Sequence, residues 1–368
     1  MKLLSPNYEE CITNLACSIL KYFEVPYKHN TIKEIDESLK SNPKNVVVIL
    51  FDGMGYNLIN RILKEDSLLR TNMVKPISSI SPSTTTASTT SILSGLNPIE
   101  HGWLGWDMYI KEENKIITLF KNTFKDTKIQ AADYNIPYKY MPYDNLKEQI
   151  DKGKYSAEIV FPFGKYIVYH NKSLREMNQK IIHETQKEGK RYIYAYYENP
   201  DTILHLNGSN SGKTKRMFKL IDKSVTYLAN NLEDTLLIIT ADHGHIDSSP
   251  IIISDYPDFL DTLDGDISIE PRFCSFKVKK EKEFIELFNK YFKDYFILKT
   301  KEEIINEHWF GYGKENSEFY NALGDYFAIA VKDKFFLYRH CEEEIIKSHH
   351  AGITEDEMLI PLIMKRCN

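Results

Sequence analysis

The chain has 368 residues, and its 47 Lys+Arg against 52 Asp+Glu leave a formal charge of -5. So mild a balance, with no basic block to overrule it, excludes nucleic acid and anionic membrane as expected partners. No run of about 18 apolar residues predicts a membrane span, and five cysteines without CxxC spacing (Cys11, Cys17, Cys274, Cys341, Cys367) make neither a disulfide framework nor a zinc knuckle.

The opening stretch "MKLLSPNYEECITNLACSILKYF" lacks the continuous apolar segment of a signal peptide, so a reducing, cytoplasmic location is the expectation. Residues 7–23 put Ile12, Ala16, Ile19, Leu20 and Phe23 at helical spacing behind Asn7, a candidate cap. "NVVVILF" (Asn45–Phe51) follows, a continuous β-branched run suited to a strand buried on both faces. The stretch "PSTTTASTTSILSG" (Pro82–Gly95) carries hydroxyls on nine of its fourteen residues. It reads either as a low-complexity surface loop or as the setting of a nucleophile.

Further along, "RYIYAYY" (Arg191–Tyr197) and "DTLLIIT" (Asp234–Thr240) repeat the buried-strand character, with a helical stretch at Lys213–Asn231 between them. Strands alternating with helices predict an α/β fold, a mostly parallel central sheet between helices. The region before the C-terminal histidines holds "RFCSFKV", a helical Glu281–Phe292 and paired strands near Tyr326–Tyr338. It predicts a small α+β cap, residues 255–345, inserted in a single domain spanning 1–368. Tyr134, Tyr138, Tyr140 and Tyr143 form a tyrosine-rich segment in the earlier stretch Asp107–Lys190.

In such sheets ligands gather beyond the carboxyl ends of the strands. Each of the three runs is followed there by chemistry: "DGMG" with Asp52, "ENPDTILH" with Asp201 and His205, and "ADHGH" with Asp242 and His243. Taken singly, each reads as a turn or a capped helix start. Taken together, they supply the oxygen and nitrogen donors of a zinc-type site, and i, i+4 spacing puts Asp201 and His205 on one side of a helical turn. In "SHHAGITEDEMLIPLI" (Ser348–Ile363), His349 and His350 precede an Ala-Gly turn and a Thr354/Glu357 capping box.

These motifs, in this order, resemble the alkaline phosphatase superfamily, and within it the type I phosphodiesterase/nucleotide pyrophosphatase family. The resemblance runs from about Asn45 to Ile363 and implies an alkaline phosphatase-like three-layer sandwich. It implies two divalent ions, zinc before manganese or iron: one held by Asp52, Asp242 and His243 beside the nucleophile, the other by Asp201, His205 and His350. Counting back from Gly95 places the nucleophile at Thr85, with Thr84 and Thr86 each one residue away. The implied reaction is hydrolysis of a small phosphodiester through a phospho-threonine intermediate. Phosphomonoesters, phosphonates and sulfate esters are the alternative substrates, and a non-catalytic metal-binding scaffold is the alternative outside catalysis.

The pattern departs from nucleotide pyrophosphatases in one place. They carry an asparagine shortly after the nucleophile helix, where this chain has Trp106 in "HGWLGWDMY". Trp103 and Trp106 read either as an aromatic wall for a base or a quaternary ammonium or as packing between lid and sheet.

Overall fold

The computed structural model describes residues 2–160, 173–338 and 346–368. Six strands make the central sheet: β1 (Asn45–Phe51), β2 (Met73–Ser78), β3 (Ser156–Val160), β4 (Arg191–Tyr197), β5 (Thr235–Thr240) and β6 (Leu359–Cys367). Their spatial order is β2-β6-β5-β1-β4-β3, and β6 alone runs antiparallel to its neighbours. Every residue of β1 is buried, as its unbroken apolar sequence requires of a strand covered on both faces. Helix Ile12–Tyr22 packs on Thr85–Ser94, and Leu174–Gln186 packs on Gly212–Ala229, so helices flank the sheet.

Register positions the chemistry. Phe51 lies opposite Tyr197, and Leu50 opposite Thr240, so the turns after β1, β4 and β5 emerge side by side. The turns after β1 and β5 touch through glycines. A Cβ at Gly244 would come within 2.0 Å of the Asp356 carbonyl oxygen, and the nearest atom to a Cβ at Gly55 would be the Gly244 Cα at 2.6 Å. Only glycine permits that approach.

The first helix begins later than the apolar spacing predicts. Asn7 accepts from the Glu9 N–H in a local turn, and the helix starts at Ile12 behind Cys11, whose N–H donates to Asn14 Oδ1 at 2.7 Å. A side chain that closes its own turn cannot also cap a helix.

A second sheet of seven strands extends past the 255–345 insertion. Phe296–Thr300, Tyr326–Ala330, Phe273–Phe276 and Ser268–Glu270 come from that insertion, whereas Asp107–Ile110, Lys115–Thr118 and Thr123–Phe124 follow the hydroxyl-rich helix. The join is the pairing of Ile269 with Asp107, which covers an edge that would otherwise be open. Residues 339–345 of the expected cap, and Cys341 with them, lie outside the described residues. The expected pairing within Tyr326–Tyr338 gives way to another. Tyr326–Ala330 lies between Phe273–Phe276 and Phe296–Thr300, while Lys334–Leu337 pairs with Ser249–Ile252. Phe336 stacks on Phe296 at 4.3 Å and Phe335 packs on His349, so successive aromatics anchor that strand from opposite faces.

The cap is tied to the core by a fully buried ion pair. Arg272 Nε and Nη2 donate to the two Glu357 oxygens at 2.7 and 2.8 Å, and Nη1 donates to the Lys332 and Lys334 carbonyls. Glu357 also accepts from the Gly352 N–H and the Thr354 hydroxyl, fixing the turn after His350. Removing one partner strands the other charge in a dry interior. Glu357→Ala is therefore expected to cost about 3–5 kcal/mol of stability, read from urea unfolding of the metal-free protein.

Candidate active site

Asp52 follows β1 and is buried with Asp242 and His243, which follow β5. The three offer ligand atoms within 4.8 Å of one another. Gly53, in the left-handed region at φ +71, turns the chain so that its N–H donates to Asp242 Oδ1 at 3.0 Å. His243 Nδ1 donates to the Gly244 carbonyl, and its Nε2 faces Asp52 Oδ1 at 3.3 Å and Asp242 Oδ2 at 3.4 Å.

Thr85 is the first residue of helix Thr85–Ser94 and joins this group. Its Oγ1 lies 3.2 Å from His243 Nε2 and 3.4 Å from Asp52 Oδ1. Of its neighbours, Thr84 Oγ1 donates away to Glu270 at 2.6 Å, and Thr86 Oγ1 is buried without a hydrogen-bond partner among the described residues.

A second group gathers around Asp201, which opens helix Asp201–Asn207 after β4. Asp201 Oδ1 has His205 Nε2 at 3.2 Å and His350 Nε2 at 3.9 Å. His205 Nδ1 donates to the Ser348 carbonyl and His350 Nδ1 to the Ser83 carbonyl, so both present Nε2 inward. His350 belongs to this group and His349 does not.

The residues fit two cations. Asp242 Oδ2 is buried with no hydrogen-bond donor among the described residues. Burial and neighbouring Asp201 raise the Asp52 carboxyl well above its usual range, and burial and Asp52 do the same to Asp242. Burial would raise Asp201 too, but His205 and His245 hold it well below. Burial lowers His350 far below an ordinary imidazole. Carboxylates next to imidazole nitrogens in a dry site are the donor set of a divalent ion.

Three residues near the site escaped the sequence reading. His245, the last residue of "ADHGH", places Nε2 2.7 Å from Asp201 Oδ1. Its signal is its place in the same motif as His243, two residues further on. Tyr196, inside β4, donates its hydroxyl to Asp52 Oδ2, and nothing in an aromatic strand marks that role. Glu270 arrives from the second sheet and accepts from Thr84 Oγ1 and from the Trp106 N–H at 2.8 Å.

The tryptophans part ways. Trp103 is buried, gives its indole N–H to the Met141 carbonyl at 2.9 Å and packs on Phe120, Tyr138 and Tyr143. Of its two readings, this burial agrees with packing between lid and sheet. Trp106 is partly exposed, with Phe120 at its edge and Lys121 Nζ 5.6 Å from its ring centre.

The family model for type I phosphodiesterase / nucleotide pyrophosphatase matches residues 46–344. The chain belongs to this family. Its members are hydrolases of phosphoric ester bonds and depend on metal. Among solved structures, human ectonucleotide pyrophosphatase / phosphodiesterase 5 superposes with a TM-score of 0.67 at 18% identity, covering 87% of each chain. The murine protein gives 0.65 at 19% identity over 86% of this chain and 87% of that one. An inactive murine variant with a threonine replaced by alanine, in complex with AMP, gives 0.65 at 18% identity with the same coverage. These likenesses establish the alkaline phosphatase-type fold. A search of curated proteins finds no significant match.

Burial lifts Glu270 from 4.5 to about 7. Between those values the unfolded chain ionises first, so stability is full at low pH and falls as pH rises through the window. Glu270→Gln keeps an acceptor for Thr84 and Trp106 without the ionisation. Thermal melts of the metal-free proteins are expected to show the wild type losing ground to the variant from pH 4.5 to about 7.

Proposed function

We propose that the protein hydrolyses a small phosphodiester through a phospho-threonine intermediate at Thr85. Asp52, Asp242 and His243 would hold one zinc-type ion and Asp201, His205 and His350 the other, with manganese or iron as the substitutes. The observation that carries this reading is Thr85 Oγ1 at a helix N-terminus, in reach of both His243 and Asp52.

When bound, the ions would supply positive charge that lowers the pKa of the hydroxyl and stabilises phosphoryl oxygens. The chain's own part is to aim the groups. Thr85 loses its proton to solvent and attacks phosphorus. The bond to the departing alkoxide breaks, and that alkoxide takes up a proton. Water then attacks the phospho-threonine, the P–Oγ bond breaks, and Thr85 recovers its proton. Throughout, the first-turn N–H groups of Thr85–Ser94, which lack intrahelical acceptors, face the anion.

Charge favours a diester. Two dications against the carboxylates of Asp52, Asp201 and Asp242 leave one positive charge, which the threonine alkoxide cancels. A monoester dianion would want a further cation. Arg61 is paired with Asp356, Arg70 donates to the Leu63 carbonyl and Arg272 is locked to Glu357. Trp106 offers the departing group a partly exposed aromatic face, suited to a base or to a cationic head group. AMP in the murine relative fits the first of these. The described helices include none long and apolar enough to cross a membrane. A cytoplasmic location is our reading from the free thiols of Cys11, Cys17, Cys274 and Cys367.

Paired aryl phosphodiester and phosphomonoester substrates test the reading. Zinc-loaded protein is expected to give the higher kcat/KM on the diester, and Thr85→Ala to lose about 10³-fold or more. Diester hydrolysis that survives the substitution would remove Thr85 as nucleophile, and faster monoester hydrolysis would overturn the substrate class. Trp106→Ala is expected to raise KM for aromatic diesters severalfold with kcat little changed. A KM unmoved on every diester would remove the aromatic face from the site.

A further inference from the structure

We infer that His245 is a fourth protein ligand of the Asp201 metal site, which therefore binds its ion through three imidazoles and one carboxylate and more tightly than the Asp52 site binds its own. The inference rests on the two-metal reading above and adds a residue and an order of affinity to it.

Its basis is a hydrogen-bond network that determines where the His245 proton sits. The Ser348 hydroxyl donates to the Ile246 carbonyl at 3.1 Å. Its remaining capacity toward His245 Nδ1, at 3.0 Å, is to accept. Nδ1 therefore carries the hydrogen and Nε2 a lone pair. That lone pair faces Asp201 Oδ1 at 2.7 Å, closer than His205 or His350 comes. A simple His–Asp hydrogen bond needs the hydrogen on Nε2, the tautomer this network disfavours. Two acceptors at hydrogen-bond distance repel unless a cation lies between them.

The surroundings are shaped for this ring. His245 is fully buried. A Cβ at Gly53 would come within 2.9 Å of His245 Cδ2 and 3.0 Å of Nε2, so the imidazole occupies space that only a glycine leaves free. The same serine serves two ligands: its carbonyl orients His205 and its hydroxyl orients His245. Such outer partners fix ring orientation and tautomer in metal sites.

The two sites then differ in donor chemistry. Asp201, His205, His245 and His350 make a nitrogen-rich set, whereas Asp52, Asp242, His243 and Thr85 make an oxygen-rich one. Imidazole suits zinc and iron, and carboxylate oxygen tolerates manganese. Zinc fills the Asp201 site first, and manganese competes for the Asp52 site.

The test is zinc titration of metal-free protein, without substrate, by calorimetry and by competition with a chromophoric chelator. Wild type is expected to bind two zinc ions in separable steps. His245→Met is expected to weaken the tighter step about 10–100-fold and to leave the weaker step nearly unchanged. Ser348→Ala keeps the carbonyl that orients His205 and removes the hydroxyl that orients His245. It is expected to weaken the same step by a smaller factor, and it carries the test if His245→Met does not fold, as circular dichroism of the metal-free variant reports. Tight binding unchanged in the folded variants overturns this inference alone. No zinc binding by wild type overturns the two-metal reading and this inference with it.

Discussion

Burial of like charges is the constraint on which the rest of the structure depends. Asp52 and Asp242 stand buried in one group, with Asp201 close enough to push the Asp52 carboxyl further toward its neutral form. Ionised carboxylates in such a place demand positive charge, and the protein surrounds them with imidazole nitrogens. His205, His243 and His350 each turn a protonated Nδ1 outward to a backbone carbonyl and aim Nε2 at a carboxylate. Oxygen and nitrogen lone pairs converging on the same points make a site prepared for cations. The strand register, the Gly53 turn and the contact of Gly55 with Gly244 follow from the need to bring these groups together.

The cap takes part in this arrangement. Arg272 is among the largest fully buried side chains, and its guanidinium holds Glu357, which in turn holds the turn after His350. One candidate metal ligand is thus positioned through a charge pair by the turn between two strands of the second sheet. Glu270, two residues before Arg272, reaches the other side of the site and receives the Thr84 hydroxyl and the Trp106 N–H. The second sheet therefore touches the start of helix Thr85–Ser94 and the His350 turn from adjacent positions on one short segment.

Legibility in the sequence followed the range of the interaction. β1 and β4 begin and end where their apolar runs do, because a strand buried on both faces needs little beyond continuous hydrophobicity. The Thr354/Glu357 capping box was equally visible, since it is local. The start of the first helix was not, because Asn7 has a competing local bond and the hydrogen bonds that define the start come from Cys11 and Asn14. The seven-stranded sheet was hidden for a different reason. Its halves are separated by more than a hundred residues, and one short pairing at Ile269 and Asp107 joins them. Tyr196 and Glu270 act through contacts across the fold, which no spacing encodes. His245 stood in plain view two residues after His243, but only the network around Ser348 distinguishes its tautomer.

The hydroxyl-rich run resolves into two kinds of position, divided by helix geometry. Helix Thr85–Ser94 is buried along its whole length, so its polar side chains depend on partners inside the protein, and among the described residues only Thr86 Oγ1 of these lacks one. Thr89, Thr90 and Ser94 donate to the carbonyls of Thr85, Thr86 and Thr90, one turn back. Ser88 and Ser91 reach Ser79 and His101 on neighbouring segments. Small side chains that satisfy themselves let the helix lie close to the sheet and to Ile12–Tyr22. Thr85 cannot use that solution, because four residues before it the chain is not yet helical and offers no carbonyl along the axis. Its hydroxyl turns instead to Asp52 and His243. The residue that begins the helix is the one whose hydroxyl faces the candidate metal-binding groups, and the first-turn N–H groups beside it have no intrahelical acceptor.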